Sequence, residues 1–411
     1  MECKDVKAAF VGHDHDNDYV VLHQGIALAY GRFSGGLNTY HCLCRGARVI
    51  ELTESSPGFE TWTRFETGRV LNRISVPGSL IIGAGGIVQT AHLPAYRLAK
   101  FAVAGIFDPD HKKAIKLVSD FQIPVVYNST EELVGKAGTE VIYDVAVPGS
   151  AMISVLEQLP DNAFVLLQKP MGENEQEAQR ILELCAQKKI TAGVNFQLRY
   201  APYIVMAKKM IAGGWLGDIC DVEVYVNVYT PWQLWDFLFS APRVEILYHS
   251  IHYIDLIRNL LGNPSGVYAK TTGHPQMDAL HSVRSNIIMD YGDMVRANIL
   301  TNHAHGFGLK NQDAYIKIEG TKGAIKIKLG LLMNYPEGVP DRFEYILLGE
   351  SSSPAWEVLP VNGSWFPHAF IGSMAEIMKA KADPAYIPDN SVQDCIYTMR
   401  CVETAYTSGK L

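Results

Sequence analysis

The stretch that most constrains this chain is Ser79-Leu80-Ile81-Ile82-Gly83-Ala84-Gly85-Gly86-Ile87-Val88. A short apolar run ends in a glycine cluster, and a segment of helical character, Val88 to Lys100, comes after it. A buried parallel strand, a turn tight enough to need glycine, and a helix N-terminus give this pattern. Gly83 makes the turn. Gly85, with Gly86 and Ile87 beside it, lets a pyrophosphate approach the free N–H groups of the helix. The third glycine of G-x-G-x-x-G is absent, since Val88 stands there.

A second apolar run, Phe101 to Phe107, is closed by Asp108. A carboxylate at the tip of the second strand is placed to hold the hydroxyls of an adenosine ribose. The bland alternative is that Asp108 opens the turn Asp108-Pro109-Asp110 and caps the helix from His111. Asp108 would repel a 2′-phosphate, which favours NAD, while Lys112 and Lys113 nearby keep NADP open.

A chain of 411 residues has room for two or three domains with cores of their own. Its 48% apolar and 19% charged residues describe an ordinary soluble globular protein. A net charge of −7 leaves no basic footprint for nucleic acid. No apolar run reaches the ~20 residues of a membrane span, and MECKDVKAAF lacks the apolar core of a signal peptide. Seven scattered cysteines without a C-x-x-C pair suit a reducing cytoplasm.

Residues 1–75 do not fit the pattern of the remaining chain. A strand at Ala8–Val11 runs into Gly12-His13-Asp14-His15. Two histidines so placed are candidate metal ligands, though a polar loop is the commoner origin of a lone H-x-H. The stretch resembles the tail of a calcineurin-like metallophosphoesterase, whose last motif is GHxH. The upstream D-x-H, G-D-x-x-D and G-N-H motifs of that family are missing. The G-D-x-x-D at Gly217–Asp221 lies far downstream, in a helix-to-strand turn. The segment therefore reads as an inactive remnant, and no metal site is expected.

From Pro77 strands and helices alternate. The strands are Leu80–Ile82, Phe101–Phe107, Val141–Val147, Phe164–Leu167 and Thr191–Asn195; the helices are Val88–Lys100, His111–Phe121, Thr130–Gly135, Ser150–Gln158 and Glu173–Lys189. This spacing predicts a doubly wound parallel sheet over 77–196. From 197 to 387 a helix, Ala201–Ala212, precedes strands at Asp221–Tyr229, Gly266–Thr272, Ser285–Asp290, Val295–Thr301, Ala314–Glu319 and Gly323–Lys328. A helix at Ser250–Leu261 interrupts them. Turns such as Gly320-Thr321-Lys322-Gly323 predict a large, open-faced, mainly antiparallel sheet, hence an α+β domain. Residues 388–411 form a last helix, expected to pack back on the first domain.

Gln168-Lys169-Pro170 follows the fourth of these strands, which puts Lys169 over the same carboxyl edge as the glycine loop, although an ordinary surface lysine would also read this way. His249, His252 and Asp255 share one face of the helix that Tyr248 opens. With no fourth ligand in reach, a satisfied buried histidine is the plainer reading than zinc.

Taken together, the glycine loop, Asp108, Lys169-Pro170 and His252-x-x-Asp255 resemble the glucose–fructose oxidoreductase/inositol dehydrogenase (Gfo/Idh/MocA) family over about 77–411. Its E-K-P falls on Gln168–Pro170, its N-x-R-[FY] resembles Asn195 to Tyr200, its D-x-G-x-H-x-x-D falls on Tyr248–Asp255, and its G-T-x-G turn on Gly320–Gly323. Three departures stand out: Gln168 replaces a glutamate, Met152 a frequent histidine after Pro148, and Tyr248 an aspartate.

The resemblance implies an NAD(P)-dependent oxidation of a secondary alcohol on a sugar or polyol. His252 would take the hydroxyl proton and Lys169 would stabilise the developing charge on the oxygen. Asp255 would orient His252, while Tyr248, Arg199 and His249 would line the pocket. Pro148, Gln168 and Lys169 would join Gly83, Gly85, Gly86, Ile87 and Asp108 at the cofactor. A homo-oligomer through the open sheet and a cytoplasmic location follow from the same resemblance. The rivals are a regulator of the same fold without turnover and, more remotely, a metallophosphoesterase.

Overall fold

A computed structural model describes residues 78–349 and 354–409 continuously and, before them, six strand segments. These are β1 (Ala8–Val11), β2 (Val20–His23), β3 (Ile26–Tyr30), β4 (Gly46–Leu52), β5 (Phe59–Phe65) and β6 (Val70–Val76). They form two three-stranded sheets, β1-β3-β2 and β4-β5-β6. The strand expected at Ala8–Val11 is present. His13 and His15 lie outside the described residues.

The next five strands are β7 (Ser79–Ile82), β8 (Val103–Phe107), β9 (Ile142–Val145), β10 (Phe164–Leu167) and β11 (Thr191–Val194). They make one parallel sheet in the order β11-β10-β9-β7-β8. Every residue of β7 and β9 is buried, as both faces are covered by helices. The covering helices are α1 (Leu93–Ala99), α2 (His111–Phe121), α3 (Thr130–Ala137), α4 (Met152–Gln158) and α5 (Glu175–Gln187). Asp110, Ser129 and Asn174 cap α2, α3 and α5 by accepting backbone N–H groups. Strand order reverses between β7 and β9, so the ligand crevice lies at their carboxyl ends, at Gly83 and Ala146.

After α6 (Pro202–Ala212) comes an eight-stranded sheet. Its strands are β12 (Ile219–Asn227), β13 (Gly266–Thr272), β14 (Arg284–Asp290), β15 (Arg296–Asn302), β16 (Asp313–Gly320), β17 (Gly323–Lys328), β18 (Arg342–Leu347) and β19 (Glu357–Leu359). The order is β13-β14-β15-β12-β16-β17-β18-β19. All pairs are antiparallel except β12 with β15, which is parallel. Burial alternates along β14 and β15, so one face is packed and the other open. On the packed side α7 (Ile251–Leu261) is buried over most of its length. The sequence pattern stops at Lys328 because β18, next to the edge, and β19, at the edge, are half-exposed and show little alternation.

Two helices, α8 (His368–Ala382) and α9 (Val392–Ser408), end the fold. The sequence assigns α8 to the second domain, but the structure lays it against α1, β10 and β11. Its Phe370, Met374, Ile377 and Met378 complete the core around Ile81, Ile106 and Leu166. Helix α9 packs on α5 and β11 of the parallel-sheet unit and on α7 and β13 of the other.

Candidate active site

The glycine loop is built as its residues dictate. Gly83 has φ +115°, and a Cβ there would lie 2.3 Å from the carbonyl oxygen of Ala146. Only glycine fits that approach. A Cβ at Gly85 or Gly86 would meet nothing within 4 Å, so the loop leaves open space in front of the helix start. Gly86 and Ile87 enter the helix, Val88–His92 form a π-turn, and α1 continues it. Val88, at the missing third glycine, is fully buried. The open cradle at a helix N-terminus fits the pyrophosphate of a dinucleotide.

Asp108 ties the second strand to this loop. Its Oδ2 accepts the Ala84 N–H at 2.6 Å and its Oδ1 accepts the Asp110 N–H at 2.7 Å. It does open the turn, but α2 is capped by Asp110. Each carboxylate oxygen keeps a second lone pair for a ribose hydroxyl. Pro148, exposed at the end of β9, leads into a short turn in which a Cβ on Gly149 would lie 2.7 Å from Glu173 Oε1.

Lys169 follows β10 and reaches across to the second unit, where its Nζ donates to the Tyr248 carbonyl oxygen at 2.7 Å. Burial pushes its amine down to about 8. Gln168 turns the other way. Its Oε1 accepts the Lys169 N–H, and its Nε2 lies 3.2 Å from His92 Nε2. His92 is fully buried and donates from Nδ1 to Asp144 Oδ2 at 2.7 Å, an oxygen that also accepts the Tyr96 hydroxyl. A carboxylate at Nδ1 fixes the tautomer, which leaves Nε2 to accept from Gln168 and from Asn195 Nδ2 at 3.3 Å. The side chain of Gln168, expected at the cofactor, is engaged in this internal network.

Tyr248 and His249 sit in a second π-turn, Ile246–Ser250, which leads into α7 with His252 and Asp255. The Tyr248 hydroxyl donates to both oxygens of Glu173, at 2.8 and 3.0 Å. Burial and the Glu173 charge raise it, so it stays protonated. The hydroxyl, expected to take part in acid/base chemistry, is engaged by Glu173, while the carbonyl receives Lys169. His252 is 7% exposed, packs at 5.5 Å against Trp365, and has a buried Nδ1 without a hydrogen-bond partner. Burial, then the Lys169 charge, hold it well below the usual imidazole range. Burial also lowers His249, with further contributions from His303, Lys169 and His252. The His249 and His303 rings are 4.3 Å apart. His303 is held by Thr230 Oγ1 at 2.8 Å and by Glu245 at 3.4 Å.

Arg199 and Asp255 are brought together, while His252 Nδ1 keeps no hydrogen-bond partner. Arg199 is fully buried and grips Asp255 through two nitrogens, at 2.6 and 2.7 Å. It also reaches Asp394 at 2.6 Å and the Asp389 carbonyl at 2.6 Å. Thr398 donates to Asp255 Oδ1. The expected pocket-lining role of Arg199 and orienting role of Asp255 are therefore corrected to a buried ion-pair network joining α7 to α9. Asp255, Asp394 and Cys395 lie close enough together to suggest a metal site among the described residues, but Arg199 and Arg258 already engage the carboxylates.

Sequence reasoning missed His92, Asp144, Glu173, Glu245 and His303. One signal was legible: Asp144 is a carboxylate in the middle of an apolar parallel strand, and a buried charge demands a partner. Nothing local marks Glu173 or His303, whose partners are 75 and 58 residues away, at Tyr248 and Glu245.

Two family models match the chain: the oxidoreductase family NAD-binding Rossmann fold over residues 78–196, and the GFO/IDH/MocA C-terminal domain over residues 204–326. Together they span more than half of it. The scyllo-inositol 2-dehydrogenase (NADP(+)) IolW of Bacillus subtilis is 22% identical over 308 residues, covering 71% of this chain and 82% of that protein. Glucose-6-phosphate 3-dehydrogenase of the same organism is 29% identical over 147 residues, covering 35% and 41%. Several curated relatives are matched over only 39–42% of their own length. Among solved structures, an oxidoreductase from Agrobacterium radiobacter in complex with NAD+, L-tartaric acid and magnesium superposes with a TM-score of 0.66 at 19% identity, over 81% of this chain and 96% of that one. At that identity the likeness is one of fold.

Proposed function

The chain belongs to the Gfo/Idh/MocA oxidoreductase family and carries its NAD-binding Rossmann domain, and from that premise we propose that it oxidises a secondary alcohol of a sugar, polyol or sugar derivative. The carrying observation is that Lys169, at the carboxyl edge of the parallel sheet, donates to the Tyr248 carbonyl in the π-turn that leads into α7 and His252. Gly83, Gly85, Gly86 and Ile87 would hold the pyrophosphate, and Asp108 the ribose, with NAD preferred to NADP. When bound, the nicotinamide ring would supply the hydride acceptor. His252, neutral at physiological pH, takes the hydroxyl proton. Lys169, aligned by the Tyr248 carbonyl, donates to the substrate oxygen as charge develops there.

Residues 1–75 take no part in this reading. The open face of the large sheet, where Tyr268, Ile288 and Leu300 are exposed, would serve association of copies. Family membership agrees with an enzyme acting on small molecules, and among the described residues no helix is long and apolar enough to cross a membrane.

The test is a cofactor titration followed by a sugar and polyol screen read at the nicotinamide absorbance. Reduction of NAD by at least one such compound is expected. Binding of NAD without turnover across the screen would instead favour a regulator of the same fold.

A further inference from the structure

The loops that follow β12, β13 and β15 meet at one end of the eight-stranded sheet, and between them lies a cavity of about 260 Å³. Tyr229 and Phe239 on its wall are 43% and 42% exposed. Gln233, Gln276 and Asp278 also line it, and among the described residues none of their side chains makes a hydrogen bond. Trp232, 2% exposed, forms part of the wall, and its Nε1 is buried without a partner. Among the described residues no lysine, arginine or histidine lines the cavity.

Half-exposed aromatic rings offer apolar faces to the C–H side of a ring ligand, while free amides and a carboxylate suit its hydroxyls. A phosphate or carboxylate on the ligand would find no cation here and would face Asp278. The chemistry selects an uncharged, polyhydroxylated ring. The cavity also backs onto His249, three residues before His252, and onto His303. The Trp232 ring lies 5.1 Å from that of His249 and 5.4 Å from that of His303, and Thr230, another wall residue, bonds His303 Nδ1.

We propose that this cavity is a second sugar subsite, which holds an uncharged pyranose ring linked to the sugar oxidised at Lys169 and His252. The substrate is then a neutral glycoside or disaccharide, and neither a nucleotide-linked sugar nor a sugar phosphate. This rests on the sugar-dehydrogenase reading for the first ring, while the second ring is read from the cavity alone.

The experiment is calorimetric titration of the full-length, NAD-loaded protein, which needs no turnover. The probes are maltose, cellobiose, lactose and xylobiose, their constituent monosaccharides, UDP-glucose and glucose 6-phosphate. At least one disaccharide is expected to bind about tenfold more tightly than its monosaccharides, the gain of one or two good hydrogen bonds. Gln233→Ala and Asp278→Ala, both exposed, are expected to erase that gain and leave NAD and monosaccharide affinities unchanged. The proposal is overturned if none of the four disaccharides outbinds its monosaccharides, if the substitutions leave the gain intact, or if UDP-glucose binds in preference through the same residues. If the disaccharide gain is present but no NADH ever forms, the dehydrogenase reading fails and the subsite stands. NADH formed from monosaccharides without any disaccharide gain sinks the subsite and leaves the dehydrogenase reading standing.

Discussion

The Nζ of Lys169 donates a 2.7 Å hydrogen bond to the carbonyl oxygen of Tyr248, and so joins the end of β10 to the π-turn that opens α7. The carbonyl holds the amine at the crevice without neutralising it, because a carbonyl accepts a hydrogen bond but carries no charge. Tyr248 is fixed in turn by Glu173 at its hydroxyl. The amine is therefore positioned by polar groups and destabilised by burial.

That arrangement predicts opposite effects on activity and stability. Burial lowers the folded-state pKa of Lys169 from 10.5 to about 8. Below pH 8 both states hold the proton and the whole penalty, on the order of 3 kcal/mol, acts against folding. Between 8 and 10.5 only the unfolded chain holds it, so stability is regained as pH rises. Lys169→Met should lose turnover yet melt somewhat higher at pH 7, with much of the relief offset by the loss of a charge-assisted hydrogen bond of about 1.5–3 kcal/mol. The advantage should narrow by pH 10. A variant that melts below the unmodified protein at pH 7 would contradict this.

Arg199 and Asp255 are predicted to matter for folding. Asp255→Ala removes two charge-assisted hydrogen bonds from a fully buried guanidinium and leaves it on Asp394 and the Asp389 carbonyl, at about 1.5–3 kcal/mol for each bond lost to a charged group. The urea midpoint should fall accordingly, while the folded fraction keeps its KM and its pH profile. A stable Asp255→Ala protein with lost kcat would restore Asp255 to the orientation of His252.

The contrast between these residues explains what the sequence could carry. Parallel strands and their helices were legible because both faces of β7 and β9 are buried and caps such as Asn174 are local. Lys169 and His252 were legible because each sits at a fixed place in an element, at a strand end or on a helix face. Arg199 looked like a pocket residue since its partners, Asp255, Asp389 and Asp394, lie 56 to 195 residues away. No periodicity encodes such a pairing. Tyr248 misled for the same reason, as Glu173 lies 75 residues before it.

Gln168→Glu tests the internal network. His92 Nε2 is an acceptor that receives the Gln168 amide, and a carboxylate has no hydrogen to offer it. Acceptor would face acceptor beside the buried Asp144. A loss of about 1–3 kcal/mol in stability is expected, with poorer turnover as the Lys169 backbone loses its register. A variant as stable as the parent by chemical denaturation would show that the contact is not needed.

Asp108→Ser should weaken NAD binding and narrow the preference over NADP. The carboxylate removed both bonds the Ala84 N–H and repels a 2′-phosphate. Fluorescence titrations with NADH and NADPH measure both effects. Tighter binding of NADPH than NADH by the unmodified protein would refute the assigned role.

The most demanding expectation is that Lys169 and His252 act on one substrate oxygen. They come from different units of the fold, yet Lys169 is hydrogen-bonded to the carbonyl of Tyr248, four residues before His252. Lys169→Ala removes a donor to the developing oxyanion, for which a loss of about 2.7–4 kcal/mol in transition-state stabilisation is typical. His252→Ala removes the proton acceptor, worth ~10²–10⁴-fold in rate. Two groups that serve a single step do not act independently, because once the proton cannot leave, stabilising the resulting charge gains little. The double variant should therefore lose less than the product of the two single losses. NAD affinity should change little in either single variant, since neither side chain is needed to hold the pyrophosphate. These values come from kcat/KM for the oxidised sugar or polyol at pH 7, with NAD titrated separately. Strict multiplicativity of the two losses, or near-normal turnover by Lys169→Ala, would separate the two residues and end the shared-oxygen assignment.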